Sequence, residues 1–279
     1  MNVKVSDPIS VFRKLHESGC FVIPNPWDVG SAKYLAQLGF KALVTTSAGL
    51  AFSKGFPDAI GVVSLHETLA HIREIVSASP LPVNADFQNG FSDEPEDVAA
   101  NVSLCVKTGV AGLSIEDATG RNSGPLYERS LAVERIAAAR AAINATQNPV
   151  VLTARCEAWL VGDPNPFRTA IERLVAYAEA GADCLFAPGV RDPNQIEALV
   201  KAVSPKPVNV IMSSAIPGFS VPLLSELGVR RISVGSALAR TAWTAFMNAA
   251  KSIAETGSFE VLSKATTFAE MNKIFRETS

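Results

Sequence analysis

Thr108-Gly109-Val110-Ala111-Gly112-Leu113-Ser114-Ile115-Glu116-Asp117 holds a helix stop, a strand and two adjacent carboxylates in one short stretch. Gly109 follows the helix-spaced apolar residues of Pro95-Lys107 and suits the left-handed conformation of a helix C-cap. Gly112-Glu116 then reads as a short buried strand. The same punctuation recurs at Leu38-Gly39-Phe40, Ala180-Gly181-Ala182 and Leu227-Gly228-Val229, each time just ahead of another β-rich run.

Working outward, eight such runs are found: Phe21-Asn25, Ala42-Thr46, Pro82-Asp86, Gly112-Glu116, Val150-Arg155, Cys184-Ala187, Val208-Met212 and Arg231-Gly235. Between them lie helical patterns at Ser31-Leu38, Leu65-Val76, Pro95-Lys107, Leu131-Ala145, Phe167-Ala180 and Asn194-Val203. Strands alternating with helices imply parallel pairing, and eight units suit a closed (β/α)8 TIM barrel. The first strand is followed by no Gly-x-Gly-x-x-Gly turn, which argues against a doubly wound dinucleotide fold. The expected organisation is one barrel domain over residues 1–279. Helical patterns at Ser236-Ile253 and Phe259-Phe275 exceed what a minimal barrel needs.

With 48% hydrophobic and 19% charged residues, the composition is that of a globular chain with a large core. A net charge of -2, with scattered Lys and Arg, gives no basic stripe for nucleic acid. No apolar run is long enough to span a bilayer and Met1-Ser10 has no apolar leader core, so a cytoplasmic protein without a membrane role is expected. Cys20, Cys105, Cys156 and Cys184 form no Cys-x-x-Cys pair and read as buried thiols.

A barrel keeps its chemistry at the C-terminal ends of its strands. Those ends are Asn25, Thr46-Ser47, Asp86, Glu116-Asp117, Arg155, Pro188, Met212-Ser213 and Gly235-Ser236. None is Lys, which leaves a Schiff-base mechanism without a nucleophile. His16, His66 and His71 all fall in helical segments, so any metal must be held by oxygen. Asp86 and Glu116 end neighbouring strands, and two converging carboxylates need a cation or a proton between them. Hard oxygen ligands suit Mg2+, with Mn2+ as a substitute. Arg155, ending the next strand, either holds an anionic substrate and a developing enolate oxygen, or pairs with Glu157 or Glu116. Asp117 reads as a loop cap.

The segments Ser47-Ala48-Gly49, Asn84-Ala85-Asp86-Phe87-Gln88-Asn89-Gly90-Phe91, Gly112-Leu113-Ser114-Ile115-Glu116-Asp117 and Thr153-Ala154-Arg155-Cys156-Glu157-Ala158 resemble, in order and spacing, the phosphoenolpyruvate mutase/isocitrate lyase superfamily. Gly181-Ala182-Asp183 and Ser233-Val234-Gly235-Ser236 extend the likeness over nearly the whole chain. The resemblance implies Mg2+ bound directly by Asp86 and, often through water, by Asp58, Gln88 and Glu116. It implies that the Ser47-Ala48-Gly49 backbone binds the substrate carboxylate and that Arg155 and Glu116 serve catalysis on an enolate. It also implies that the last helices, 237–279, swap onto a partner subunit. With Trp243 and Phe246 on one face of that segment, a homo-oligomer is expected, a tetramer built as a dimer of dimers.

Three departures stand out. Gln88 replaces a usual carboxylate, which removes one negative charge from the metal site. Thr45 replaces a usual aromatic. The loop Ala118-Pro125 contains none of the Cys, His or Lys that lyases and mutases use there. Arg121, Asn122 and Ser123, between Gly120 and Gly124, read instead as a lid, with Arg121 and Ser123 touching an anionic substrate and Asn122 joining the catalytic set. The substrate expected is a small 2-oxo or 2-hydroxy acid, cleaved by a lyase or hydrolase at a carbon-carbon or carbon-phosphorus bond. The alternatives are a phosphonate mutase or hydrolase, and a metabolite-binding barrel without turnover. For want of a general acid in the loop, isocitrate and 2-methylisocitrate are expected to be poor substrates.

Overall fold

The computed structural model describes residues 7–276. All eight runs are strands: β1 (Phe21–Ile23), β2 (Leu43–Val44), β3 (Val83–Asp86), β4 (Gly112–Glu116), β5 (Val151–Arg155), β6 (Cys184–Phe186), β7 (Val208–Ile211) and β8 (Arg231–Ser233). They pair in parallel in the order β1-β8-β7-β6-β5-β4-β3-β2. The circle closes where the Val44 N–H donates to the Pro24 carbonyl at 3.0 Å and Asn25 Nδ2 donates to the Thr45 carbonyl at 3.0 Å. Several strands are shorter than their β-rich runs. Strand β1, for example, stops at Ile23 because Pro24 has no N–H to add to the ladder.

The helices are α1 (Pro8–Leu15), α2 (Val29–Gln37), α3 (Ser47–Ser53), α4 (Leu65–Ala78), α5 (Pro95–Val106), α6 (Arg129–Ala145), α7 (Pro166–Glu179), α8 (Pro193–Val203), α9 (Val221–Glu226), α10 (Ala237–Thr256) and α11 (Phe268–Arg276). The four glycines that punctuate the sequence all adopt positive φ, 83° at Gly39, 90° at Gly109, 105° at Gly181 and 85° at Gly228. Helices α1 and α3 have no counterpart among the sequence patterns, and α9 is marked there only by the glycine stop at Gly228. They are short, and each is set by a local cap: Asp7, Thr46 and Ser220 accept from the first-turn amides. The expected helix over Phe259-Phe275 is broken into a 3-10 turn (Glu260–Lys264) and α11. Thr267 and Glu270 bond reciprocally there and start a new helix.

Helix α1 plugs the floor of the barrel. Its Phe12 is fully buried among Phe21, Ile23, Val44 and Val151. Just above it Arg231 reaches into the interior, donating to Asn209 Oδ1 at 2.9 Å and Thr153 Oγ1 at 2.9 Å. Its third neighbour, His16 Nε2, lies 3.3 Å from Arg231 Nη1. His16 Nδ1 is 2.8 Å from the Phe12 carbonyl, so Nδ1 carries the proton and Nε2 accepts. At the other end of the chain α10 is almost entirely exposed, with only Ala239 buried. Helix α11 returns to its own chain, where Gln37 Nε2 donates to the Ile274 carbonyl at 2.7 Å. Among the described residues no helix is long and apolar enough to cross a membrane. Cys105, Cys156 and Cys184 are buried free thiols as expected, but Cys20 is only partly buried.

Candidate active site

The ends of β3, β4 and β5 bring Asp86, Glu116 and Arg155 to one place. Register does this: Asp86 lies beside Ser114 and Glu116 beside Arg155, so consecutive parallel strands deliver their last side chains to the same rim. Arg155 Nη1 is 2.7 Å from Glu116 Oε1 and 3.6 Å from Asp86 Oδ1, while Nε donates to Glu157 Oε1. Its guanidinium also stands 5.1 Å from the centre of the Phe186 ring. The two readings of Arg155 are therefore compatible: it is paired with both Glu116 and Glu157, and it still lines the barrel mouth.

Burial pushes the Glu116 carboxyl well above the usual carboxylate range; the Arg155 charge opposes that shift and Glu157, Asp86 and Asp58 reinforce it. Glu157 is pushed up for the same first reason. Burial works against the Arg155 cation too, but Glu116, Glu157 and Asp86 outweigh it and raise its pKa. Asp58, on the loop after α3, is raised by desolvation and then by the charge of Asp86, which puts its carboxyl within electrostatic reach of the cluster. Asp86, Glu116 and Arg155 are thus brought together, with Asp58 within electrostatic reach of Asp86 and Arg155.

Asp86 is held from one side. Ser47 N and Ser47 Oγ donate to Asp86 Oδ2 at 2.8 and 2.9 Å, and the Asp86 N–H donates to Thr45 Oγ1 at 2.9 Å. Thr45 therefore fixes the end of β3. The other oxygen, Asp86 Oδ1, is buried without a hydrogen-bond partner, and so is Gln88 Oε1. Gln88 has φ of 46°, an unfavourable conformation for a non-glycine residue, held by the Glu116 N–H donating to its carbonyl at 2.8 Å. Among the described residues no group of three His, Cys, Asp or Glu side chains forms a ready metal cage.

Ser47, Ala48 and Gly49 form the first turn of α3 rather than an open loop. The Ser47 N–H is taken by Asp86 and the Gly49 N–H by Thr46 Oγ1 at 3.1 Å, so only the Ala48 N–H of the three is left to receive an anion. The loop Ala118-Pro125 is a small hairpin closed by an Ala118–Leu126 bridge and by the Thr119 N–H donating to the Pro125 carbonyl at 2.8 Å. Gly120 packs against Ile60, on the loop that carries Asp58. Arg121 pairs at 2.7 Å with Asp93 on the loop after β3, and Asn122 and Ser123 sit exposed at the hairpin tip. These three residues are not gathered with the acidic cluster. Asp117 is a deep anchor that accepts from the Glu157 N–H at 2.7 Å, Tyr177 Oη at 2.7 Å and Arg173 Nη1 at 3.1 Å. Sequence reading named Glu157 and Glu116 as alternative partners of Arg155, and the structure pairs Arg155 with both, whereas Phe186 carries no sequence signal and was missed.

A parallel eight-stranded barrel with carboxylates and a fixed arginine at its C-terminal rim defines a TIM-barrel enzyme scaffold with an oxygen-rich anion site. Comparison with known proteins narrows this class. Residues 12–254 match the family model described as phosphoenolpyruvate phosphomutase. A solved structure from Burkholderia cenocepacia J2315, provisionally a lyase/mutase, superposes with a TM-score of 0.92 at 47% identity, covering 97% of this chain and 96% of that one. The 2-methylisocitrate lyase of Escherichia coli K12 is 34% identical over 205 residues, 70% of this chain and 67% of its own length. Oxaloacetate acetylhydrolase in complex with oxalate superposes with a TM-score of 0.85 at 26% identity, covering 96% and 93% of the two chains. The chain belongs to the phosphoenolpyruvate mutase/isocitrate lyase superfamily, as a lyase or mutase.

Proposed function

We propose that the protein is a Mg2+-dependent lyase or hydrolase acting on a small 2-oxo or 2-hydroxy acid through an enolate, with oxaloacetate as the first substrate to test. The observation that carries this reading is that Asp86 Oδ1, which faces Arg155 Nη1 at 3.6 Å, and Gln88 Oε1, two residues further along the same loop, are both buried without a hydrogen bond. Buried polar atoms nearly always have a hydrogen bond, so two acceptors without one at an acidic rim fit a hard cation that keeps several of its waters. Asp86 would hold Mg2+ directly, with Gln88, Glu116 and Asp58 reaching it through water. When bound, the ion supplies a Lewis acid that polarises the substrate carbonyl.

The remaining work falls to the chain. Ser47 and Thr45 lock Asp86 so that its unpartnered oxygen has one orientation. Arg155, immobilised by Glu116 and Glu157 against Phe186, keeps its positive charge at a set place, where it stabilises charge developing on the substrate without reorganising. The Ala48 N–H at the start of α3 is available to a carboxylate. Glu116 and Glu157, the carboxyls that burial raises, are both engaged by Arg155, and the exposed hairpin side chains Arg121, Asn122 and Ser123 are not useful acids at neutral pH, so no free acid stands ready for a departing carbanion. Decarboxylation, or hydrolysis of a carbon-phosphorus bond at C3, either of which leaves the electron pair as an enolate of the 2-oxo acid, is therefore favoured over cleavage of isocitrate-like substrates.

The protein is further proposed to be a single-domain homo-oligomer, a dimer of dimers in which α10 packs on a partner barrel; α11, expected to exchange with it, stays instead on its own chain against Gln37. Phe246 and Met247 on α10 are 60% and 53% exposed, an apolar surface that a soluble monomer would bury. Sedimentation at micromolar concentration tests this, and a monomer would refute it.

Activity is tested by following pyruvate, acetate and oxalate release from oxaloacetate with Mg2+, beside phosphonopyruvate, isocitrate and 2-methylisocitrate. Release of products from oxaloacetate above the rate with Mg2+ alone supports the reading. A tenfold or greater preference for either isocitrate, about 1.4 kcal/mol in the transition state, would return the protein to the isocitrate-type lyases. Turnover of phosphonopyruvate alone would make it a phosphonate enzyme, and no turnover of any of the four a binding protein.

A further inference from the structure

Beside the acidic rim, on the β5 to β7 side, lies a second cavity of about 100 Å³. Arg155 and Ile211 line both this cavity and the barrel interior, so the two adjoin at the guanidinium. The far wall is different in kind. It consists of Arg191 on the loop after β6, Ser213 and Ser214 after β7, and the apolar Leu160 and Ile216. No carboxylate lines it, whereas Arg155 on its other side faces Glu116, Glu157 and Asp86.

Arg191 is exposed and, unlike Arg155, has no ion pair among the described residues, and the Ser213 and Ser214 hydroxyls make no hydrogen bond. Its position is nevertheless set by packing. Gly189 has φ of 97°, and a Cβ there would stand 2.5 Å from Trp159 Cβ, so only glycine lets the loop after β6 press against the loop after β5 and bring Arg191 to the cavity. On the β7 side, Arg240 donates to the Ser213 carbonyl and ties that loop to α10.

We propose that Arg191 is a specificity-determining residue that binds a second anionic group of the substrate, a carboxylate carried beyond the reacting carbon, with Ser213 and Ser214 as supporting donors. The inference rests on the 2-oxo acid reading above and deepens it by giving the second carboxylate of such a substrate its own binding residue. One carboxylate and the carbonyl lie over Asp86 and Ala48, and the other extends past Arg155 into the positively lined cavity. An unpaired guanidinium facing a cavity without carboxylates gives a bidentate partner for such a group. Leu160 and Ile216 leave room for a short alkyl branch on the same arm.

The experiment compares two ligands on the intact protein with saturating Mg2+, by calorimetry: oxalate, which has no second arm, and 3,3-difluorooxaloacetate, which has one. Arg191→Met should weaken difluorooxaloacetate by about tenfold or more, the loss expected for one charge-assisted hydrogen bond, and leave oxalate unchanged. Arg191→Lys should recover part of the difference. Equal affinities in the wild type and Arg191→Met for both ligands would overturn the assignment of Arg191, and so would an equal loss for both, which marks a general field effect. If oxalate fails to bind the wild-type protein with Mg2+, the 2-oxo acid reading itself falls, and this inference falls with it.

Discussion

Two arginines lie inside the same barrel and have opposite surroundings. Arg155, at the end of β5, touches Glu116 and Glu157 and stands 3.6 Å from Asp86. Arg231, at the start of β8 near the floor, touches Asn209, Thr153 and His16, all neutral. Burial lowers the Arg231 pKa, with no carboxylate among the opposing influences, whereas carboxylates overcome burial at Arg155 and raise it. A lone buried cation held by neutral acceptors joins the strands to the α1 plug. A cation ringed by carboxylates keeps several charges in a low-dielectric place, costly for stability and useful for binding a metal and an anion. Position along the strand separates the roles: the floor is sealed by α1, and the rim opens to ligand.

The largest effect expected at the rim is for Asp86→Ala. It removes the oxygen best placed to meet a cation, so Mg2+ binding by calorimetry should vanish and turnover should fall by about a thousandfold or more, with the circular dichroism spectrum unchanged. Retained activity with the same Mg2+ dependence would remove Asp86 from the centre of the site. Next, Arg155→Lys keeps the charge and loses the planar fork that Glu116 and Glu157 hold. A drop in kcat/KM of about 100-fold is expected, and a variant as active as the wild type would show that a charge anywhere near the rim suffices.

Arg231→Met should behave in the opposite way. It leaves His16 Nε2, Asn209 Oδ1 and Thr153 Oγ1 without their donor, at a cost of about 1–3 kcal/mol of stability in chemical denaturation, while Mg2+ affinity stays unchanged. If Mg2+ affinity fell with stability intact, floor and rim would be one electrostatic unit. The smallest effect expected is in pH dependence. Burial, helped by the Arg231 charge, depresses the His16 pKa from 6.5 to about 3. Between those values the unfolded chain holds a proton that the folded one does not, so this contribution is intact above pH 6.5 and is lost as pH falls toward 3. His16→Gln keeps an acceptor that does not titrate in this range. Its melting temperature should therefore decline less steeply than the wild type's between pH 6.5 and 4, and an identical slope would show that His16 is not buried neutral.

The amino-acid sequence by itself determined the eight strands, the glycine-capped helices between them and the strand ends where Asp86, Glu116 and Arg155 lie. These are short-range matters: apolar spacing, caps and the two-residue alternation of a strand are written locally. The resemblance that supplied Asp58 rests on local motifs too. Only the tertiary structure decided which of these groups have partners. That Asp86 and Thr46 take two of the three amides at the start of α3, that Arg121 turns to Asp93, and that Glu116 and Glu157 both close on Arg155 depend on loops from different strands meeting over one rim. The α1 plug and the Arg231 network were likewise out of reach. His16 and Arg231 are 215 positions apart in the chain, and no local pattern records a contact that exists only because the barrel closes.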